Sequence, residues 1–408
     1  MNATDPADLP RTRFERHATL PVTMLVQTAS SAAVIAPAVA APVLLAELQL
    51  GTVAVGIYVA LVYAAAALSS QWGATLVRRW GPIRTSQAAL MLSAAGLLLM
   101  AFGGLAGAAL GALLLGLGYG PVTPASSDML ARTTPPEHVS LIFSIKQTGV
   151  PLGGAAAGLL VPGVLLAFGL STALLQMALI CLLGGLLAQP LRRQLDSHAD
   201  PRSPLPALVD VIAPVRSVLA HPILRRVALS TLVFSTVQVS LTSYLVSFLT
   251  AGLGWTLVQA GAALSVSQGG GVIGRVLWGA LADRINDGPR RMLLALAVAM
   301  SLAGMLMALL SPLTASKPVL VLLAAYGATA IGWNGVYLGT VARVAGHVGA
   351  ARATAGCLFF TYIGVVIGPP LFGQIGAMTG SLGIAFALLA LPLTLTLWLL
   401  GRSWPAQL

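Results

Sequence analysis

The sequence predicts an all-α polytopic membrane protein that crosses the bilayer twelve times as two bundles of six helices. Three observations support this prediction. About twelve apolar stretches use up nearly the whole chain, and each is roughly twenty residues long, the length needed to span a bilayer. Nearly all charged residues fall in the short gaps between these stretches, with the basic residues in alternate gaps. The two halves of the chain also repeat the same patterns.

The composition fits insertion into a membrane and excludes several classes of protein. Hydrophobic residues make up 57% of the chain and charged residues 8%, against about 25% charged in an ordinary soluble domain. The net charge of +11 does not indicate a nucleic-acid partner, because the arginines flank apolar spans. The sequence lacks a G-x-x-x-x-G-K-[ST] phosphate loop, which excludes an internal ATPase motor. Its histidines and cysteines lack metal-ligand spacing, so we expect no metal and no cofactor.

The spans can be placed in order along the chain. Spans 1 to 12 cover about residues 20–45, 51–72, 85–106, 108–131, 140–166, 169–190, 224–249, 256–280, 291–312, 318–342, 351–376 and 381–401. The gaps after the even-numbered spans are rich in arginine. In the gaps after the odd-numbered spans, the only basic residue is Lys317. Short basic loops stay in the cytoplasm, so we expect a bacterial inner-membrane protein with both termini inside.

The longest polar stretch, residues 191–222, divides the chain near its middle. We interpret it as a cytoplasmic linker, with a short helix near 206–219 on the membrane surface. It would separate an N-terminal bundle at 1–190 from a C-terminal bundle at 223–408.

The halves repeat at two places. A glycine- and arginine-rich loop at 73–84 follows span 2, and a related loop at 279–291 follows span 8. Three glycines of span 5 recur in span 11 with the same spacing, the pairs being Gly149 and Gly364, Gly153 and Gly368, and Gly158 and Gly373. Parallel six-helix repeats are typical of transporters that rock one half against the other.

The two loops resemble the G-x-L-x-D-R-x-G-x-R/K signature of the major facilitator superfamily (MFS). The second copy keeps Gly279, Leu281, Asp283, Arg284 and the basic pair at 290–291. The first copy keeps Gly73, Leu76, Arg78, Gly81 and Arg84. It has Val77 where the family has aspartate, which weakens the charge lock expected in that half.

The resemblance covers the whole chain and implies how it would work. Two bundles would enclose a central cavity lined mainly by spans 1, 4, 7 and 10, with spans 2, 5, 8 and 11 along the cleft. Alternating access would be driven by ion or substrate gradients, and a coupling proton fits this scheme. We expect a functional monomer in the lipid bilayer. Residues 146–154 and 332–337 also resemble bacterial cyanate and nitroimidazole porters.

Two charges inside the spans are candidates for substrate binding, because ionisable groups there are costly. Lys146 lies about two turns into span 5, followed by Gln147. It would bind an anionic group, or else reach the interface or pair with Asp128. Arg275 in span 8 would be a second anion clamp, or else a structural residue bonded to backbone carbonyls or Asp283. If both face the cleft, an organic anion would balance them.

Neutral polar and aromatic residues of the cavity spans are further candidates for the substrate-binding set. They are Gln27 in span 1, Tyr119 in span 4, Gln238 and Tyr244 in span 7, and Trp333, Asn334 and Tyr337 in span 10. Each taken alone could equally form a hydrogen bond between helices.

A second group of charges is predicted to form a gate on the cytoplasmic side. Asp128 lies four residues before Arg132 at the end of span 4, and it would contact loop 78–84 or carry a proton. The loop residues assigned to the gate are Arg78, Arg84, Asp283 and Arg284.

The function predicted from these features is secondary active transport of a small organic, anionic solute. An exporter of drugs or metabolites is the alternative within transport. A polytopic membrane enzyme is the alternative from another class, but the spans lack the clustered His, Asp, Glu or Cys that would supply its chemistry. We therefore expect no enzymatic activity.

Overall fold

The computed structural model describes residues 13–133, 142, 145–203, 209–282, 284–345 and 350–402. Over these residues the chain consists of helices and short turns, without a β-strand. In chain order the helices are α1 Arg13–Val39, α2 Ala41–Glu47, α3 Val53–Trp80, α4 Pro82–Phe102, α5 Gly104–Thr133, α6 Gly149–Ala188, α7 Arg192–Leu195, α8 Val209–Ala220, α9 Pro222–Ser247, α10 Leu257–Ala282, α11 Gly288–Ala308, α12 Ser316–Ala330, α13 Asn334–Val344, α14 Ala350–Thr379, α15 Leu382–Leu388 and α16 Ala390–Gly401.

The described residues account for all twelve predicted crossings. Ten helical segments are long and apolar enough to cross a membrane. One of them, Ile145–Leu195, contains both span 5 and span 6. Helix α10 adds a crossing of 26 residues that is less apolar, since it carries glutamines and Arg275. Counting Ile145–Leu195 as two crossings and adding α10 raises the number of crossings from ten to twelve.

Gly169 separates spans 5 and 6 inside the long helix α6. Its φ of 83° and ψ of 170° lie outside the helical region. Glycine adopts a positive φ at little cost because it has no Cβ. The chain therefore reverses at this residue, close to the gap predicted between 166 and 169.

Span 10, which was predicted as one continuous crossing, is interrupted. Helix α12 ends at Ala330, α13 begins at Asn334, and a turn lies between them. Backbone carbonyls near such a break lose their helical partners and must find other donors within the membrane.

Each half packs around its own core. In the N-terminal half, α3 and α4 lie along α5, and α1 lies along α6. In the C-terminal half, α9 lies along α14 and α10 along α12. Large apolar side chains such as Phe102, Phe168 and Leu391 remain exposed on the outside, where a bilayer would cover them.

The halves meet along two helix pairs, α6 with α10 and α3 with α14. In the first pair, Ser265 Oγ donates to the Ala155 carbonyl at 2.8 Å. Gly158 and Gly261 face each other so closely that a Cβ on either would collide with the carbonyl of the other. Small residues at these positions let the two backbones touch.

The arginine-rich loops lie at one end of the bundles, which we call the basic end. The opposite end, which carries Lys317, is called the distal end.

Asp196, which follows span 6, caps α4 at the basic end. Its carboxylate accepts hydrogen bonds from the backbone N–H of Ile83 at 2.8 Å and of Arg84 at 3.1 Å. Partial burial raises the pKa of this carboxyl above its ordinary value, and the two N–H donors oppose that rise.

The C-terminal half has a corresponding tie at the basic end. Arg290 pairs with Asp287 at 2.6 Å and donates to the Leu400 carbonyl at 2.8 Å. In each half, the loop after the second span is thus bonded to the end of the last span.

The helix expected near 206–219 is present as α8, and it packs against α14 at Gly356.

The contact between the halves can be tested with two glycines of α10. Gly261→Ala should reduce the free energy of unfolding by about 1–3 kcal/mol, because the new methyl group collides with the Gly158 carbonyl. Gly279→Ala is the control, since nothing lies within 4 Å of a Cβ there and alanine is the better helix former. Thermal unfolding of the purified protein measures both. Equal melting temperatures would contradict the close contact.

Candidate substrate-binding site

A polar cluster joins spans 7 and 10 at the break in span 10. Gln238 in α9 accepts hydrogen bonds through Oε1 from Trp333 Nε1 at 2.9 Å and from Asn334 Nδ2 at 3.2 Å. The break therefore lets two consecutive side chains of span 10 reach the same oxygen of span 7. Discontinuous helices of this kind are typical of solute-binding sites in transporters.

Aromatic rings surround this cluster. The Trp333 ring lies 5.4 Å from that of Phe234 and 5.3 Å from that of Tyr337, measured between centroids. Trp333 and Tyr337 are both buried. Rings packed in this way hold the indole N–H toward Gln238.

Arg275 in α10 links the two halves of the protein. Its Nε donates to the Ile331 carbonyl at 3.2 Å, at the break in span 10. Its Nη1 donates to the Gln147 carbonyl at 2.5 Å, in span 5 just before helix α6 begins at Gly149. One guanidinium therefore satisfies a carbonyl in each half, and its planar fork of donors suits this double role.

Lys146 lies beside this link and is fully buried, with 1% of its surface exposed. It immediately precedes Gln147, and its positive charge and that of Arg275 repel each other. Within the described part of the chain, no carboxylate forms an ion pair with Lys146. An unpaired buried ammonium costs several kcal/mol. Lys146 and Arg275 therefore bring two positive charges close together where the halves meet.

Gln27 in α1 lies against the start of span 5. Its side chain contacts Gly149, one helical turn after Lys146. Gln27 is 1% exposed, and neither Nε2 nor Oε1 has a hydrogen-bond partner among the residues that the structure describes. A buried amide left unpaired at both ends costs free energy, and this group can offer a ligand both a donor and an acceptor.

The two predicted tyrosines lie in different surroundings. Tyr119 in α5 is close enough to Arg275 for electrostatic interaction and packs edge-on against Tyr63 at 5.7 Å. Tyr244 donates to the Pro369 carbonyl at 3.1 Å and packs against Phe372 at 4.8 Å. Tyr119 therefore lies beside Arg275. The Tyr244 hydroxyl, by contrast, is hydrogen-bonded to a helix of its own half.

The residues assigned to the gate are only partly described. Arg78 Nη2 donates to Thr75 Oγ1 at 3.0 Å, and the Arg84 backbone belongs to the Asp196 cap. Arg284 is exposed and Asp128 is partly buried. Asp283 lies outside the described residues, so its role stays a prediction.

Contacts in the structure link most of the predicted substrate residues into one cluster where the halves meet, and their role in binding substrate stays a prediction. These are Gln27, Tyr119, Lys146, Gln147, Gln238, Arg275, Trp333, Asn334 and Tyr337. Sequence reasoning missed the Ile331 carbonyl and Tyr63. Glycines at both sides of Trp333 and Asn334 were the available signal for the break that exposes this carbonyl. The described residues contain no cluster of potential metal ligands.

Comparison with known proteins gives the family. Residues 22–369 match the sequence profile of the Major Facilitator Superfamily. An uncharacterised MFS-type transporter of Mycobacterium tuberculosis (strain CDC 1551 / Oshkosh) is 25% identical over 318 residues, which cover 74% of this chain and 68% of that protein. The chain therefore belongs to the Major Facilitator Superfamily and is a membrane transporter of that type.

Solved structures share this fold. A POT family transporter in complex with 5-aminolevulinic acid is similar with a TM-score of 0.76 and 13% identity, over 94% of this chain and 95% of that one. A bacterial homologue of the human lysosomal transporter Spinster, inward-facing and occupied, has a TM-score of 0.73 and 16% identity, over 97% and 100%. These similarities lend no support to the narrower resemblance to cyanate and nitroimidazole porters.

The link formed by Arg275 can be tested by removing it. Arg275→Ala leaves the Ile331 and Gln147 carbonyls without these donors, which should cost about 1–3 kcal/mol of folding free energy. The matched control is Arg225→Ala, because Arg225 is exposed. Thermal unfolding in detergent is the measurement. If Arg275→Ala melts no earlier than Arg225→Ala, the guanidinium does not hold the halves together.

Proposed function

We propose that this protein is a secondary active transporter that moves a small organic anion across the cytoplasmic membrane by alternating access. The observation that supports this function most strongly is the buried Lys146, which has no carboxylate partner among the described residues and lies beside Arg275. An anionic substrate neutralises this charge where the halves meet. An exporter role remains compatible with the same site, since direction of transport is set by gradients.

Location at the contact between the halves is what a transport cycle requires. A ligand bound to residues of both halves is released when the halves separate on one side. Lys146 and Gln147 belong to the N-terminal half, and Arg275 and Asn334 to the C-terminal half. The energy source is an ion gradient, with a proton as the proposed coupling ion. Binding the anion and the coupling ion together keeps the moving site close to neutral.

The orientation proposed from the arginine distribution has the basic end in the cytoplasm. Residues 191–222 then form a cytoplasmic linker between bundles 1–190 and 223–408. Asp128, Arg78, Arg84, Asp283 and Arg284 would form the gate at this end. The monomer contains both halves of the site and is the proposed functional unit.

The anion site predicts opposite effects of one substitution on stability and on binding. Lys146→Ala should weaken binding of an organic anion by about 2–4 kcal/mol, because a desolvated charge partner is lost. Without ligand, the same variant should be at least as stable as the wild type, since it removes an unpaired buried charge. Thermal shift of the purified protein against a panel of carboxylates measures both effects.

The chain offers a matched control for this experiment. Its other lysine, Lys317, is exposed at the distal end, so Lys317→Ala should leave anion binding unchanged. The proposal fails if Lys146→Ala responds to the same carboxylates as strongly as the wild type.

The orientation predicts which end of the protein is accessible from outside the cell. Ser197→Cys in the linker should resist a membrane-impermeant thiol reagent in intact cells, whereas Ser311→Cys at the distal end should react. Both serines are exposed, and the native Cys181 and Cys357 are buried, so their background should be low. If Ser197→Cys is labelled in intact cells and Ser311→Cys is not, the protein has the opposite orientation to the one proposed.

A further inference from the structure

The internal repeat supplies a control for the site within the same molecule. Gly149 packs against Gln27 and the Met24 carbonyl, and its repeat partner Gly364 packs against Ser235 and the Leu232 carbonyl. Gln27 is the third residue after Met24, and Ser235 is likewise the third residue after Leu232. The contact of span 1 with span 5 is therefore repeated by span 7 with span 11.

This correspondence assigns a partner to each unsatisfied group. Gln27 corresponds to Ser235. Lys146 corresponds to Thr361, because Lys146 lies three positions before Gly149 and Thr361 lies three positions before Gly364. Ser235 Oγ donates to the carbonyls of Leu232 at 3.0 Å and Thr361 at 2.9 Å. The Thr361 hydroxyl forms a hydrogen bond with that of Thr231 at 2.6 Å. In the C-terminal half, the polar groups at this contact are satisfied within the protein.

The N-terminal half differs in chemistry at the same place. It carries a long amide with neither end bonded and a buried ammonium with no ion-pair partner among the described residues. The C-terminal half shows that hydroxyl groups suffice to build this helix contact. Packing therefore does not explain the Gln27 amide or the Lys146 charge, and both point toward a ligand.

Arg275 is less available to a ligand than Lys146. Its Nε and Nη1 already donate to backbone carbonyls of the two halves. Lys146 has three N–H donors and no acceptor capacity, so it suits an anionic group. Gln27 of span 1, which lies against Gly149 one helical turn after Lys146, offers a donor and an acceptor together.

We propose that Gln27 and Lys146 form one asymmetric subsite, in which Lys146 binds a carboxylate and the Gln27 amide recognises a hydroxyl or amide group beside it. This inference rests on the proposed transport of an organic anion and narrows the substrate to a hydroxy- or amido-carboxylate. A hydroxyl or amide both donates and accepts, so it pairs with Nε2 and Oε1 at once. An unsubstituted carboxylate leaves the amide unpaired and binds less well.

The test uses pairs of carboxylates that differ by one hydroxyl: acetate and glycolate, propionate and lactate, succinate and malate. Thermal stabilisation of the full-length protein gives the concentration for half-maximal effect of each. The wild type should bind the hydroxylated member of at least one pair about tenfold more tightly. Gln27→Leu should bring that ratio close to one and still bind the unsubstituted acid through Lys146.

The variants are chosen so that folding does not confuse the result. Gln27→Leu and Gln27→Met replace an unpaired buried amide by an apolar group, which the fold should tolerate. Gln176→Leu is the matched control, since the Gln176 Oε1 in span 6 also has no hydrogen-bond partner among the described residues. It should keep the wild-type ratio.

The outcomes separate this inference from the function on which it rests. A wild-type ratio near one in every pair, or a ratio that survives Gln27→Leu, overturns the Gln27 subsite while anion binding stands. If none of the six carboxylates stabilises the wild type, the proposed organic-anion function itself is contradicted.

Discussion

A buried positive charge that has no carboxylate partner among the described residues is the constraint on which the rest of this structure depends. Lys146 is 1% exposed and lies next to Arg275, whose guanidinium holds a backbone carbonyl in each half. Two cations at one contact repel each other, and this repulsion is strong where water is excluded. The anion proposed to bind there would reduce this repulsion and change the charge around the Arg275 guanidinium, which bonds to both halves. Charge at the site and contact between the halves are therefore physically coupled.

The internal repeat explains how such a site arises on a symmetric scaffold. Arg275 lies four positions before Gly279 of the second loop, and Ser69 lies four positions before Gly73 of the first, so the two correspond. Ser69 Oγ donates to the Gly116 carbonyl in span 4 at 3.3 Å, and Arg275 Nε donates to the Ile331 carbonyl in span 10. Like the Ser69 hydroxyl, Arg275 donates to a carbonyl of its own half. It also donates to the Gln147 carbonyl in the other half. At both pairs of corresponding positions, Ser69 with Arg275 and Thr361 with Lys146, one half carries a hydroxyl group and the other carries a longer charged side chain.

The sequence predicted the fold closely, and the site less completely, for physical reasons. Apolar length fixes a membrane crossing, so the spans and the reversal near Gly169 could be predicted. The chemistry of Lys146, Arg275 and Asn334 was visible because polar groups are conspicuous within apolar spans. Backbone carbonyls were the alternative partners considered for Arg275, but the carbonyls of Gln147 and Ile331 could not be singled out, because every residue has a carbonyl. Tyr244 shows the opposite case: a polar residue on a cavity span whose hydroxyl serves packing within its own half.

The most direct measurement of the central claim is the position of a bound carboxylate in a ligand-bound structure. A bromine-substituted carboxylate that stabilises the protein would be located by anomalous X-ray scattering. We expect its carboxylate oxygens within about 3 Å of Lys146 Nζ, in the space between spans 1, 5 and 8. A carboxylate bound elsewhere, with Lys146 out of contact with it, would contradict the claim that this lysine is the anion site.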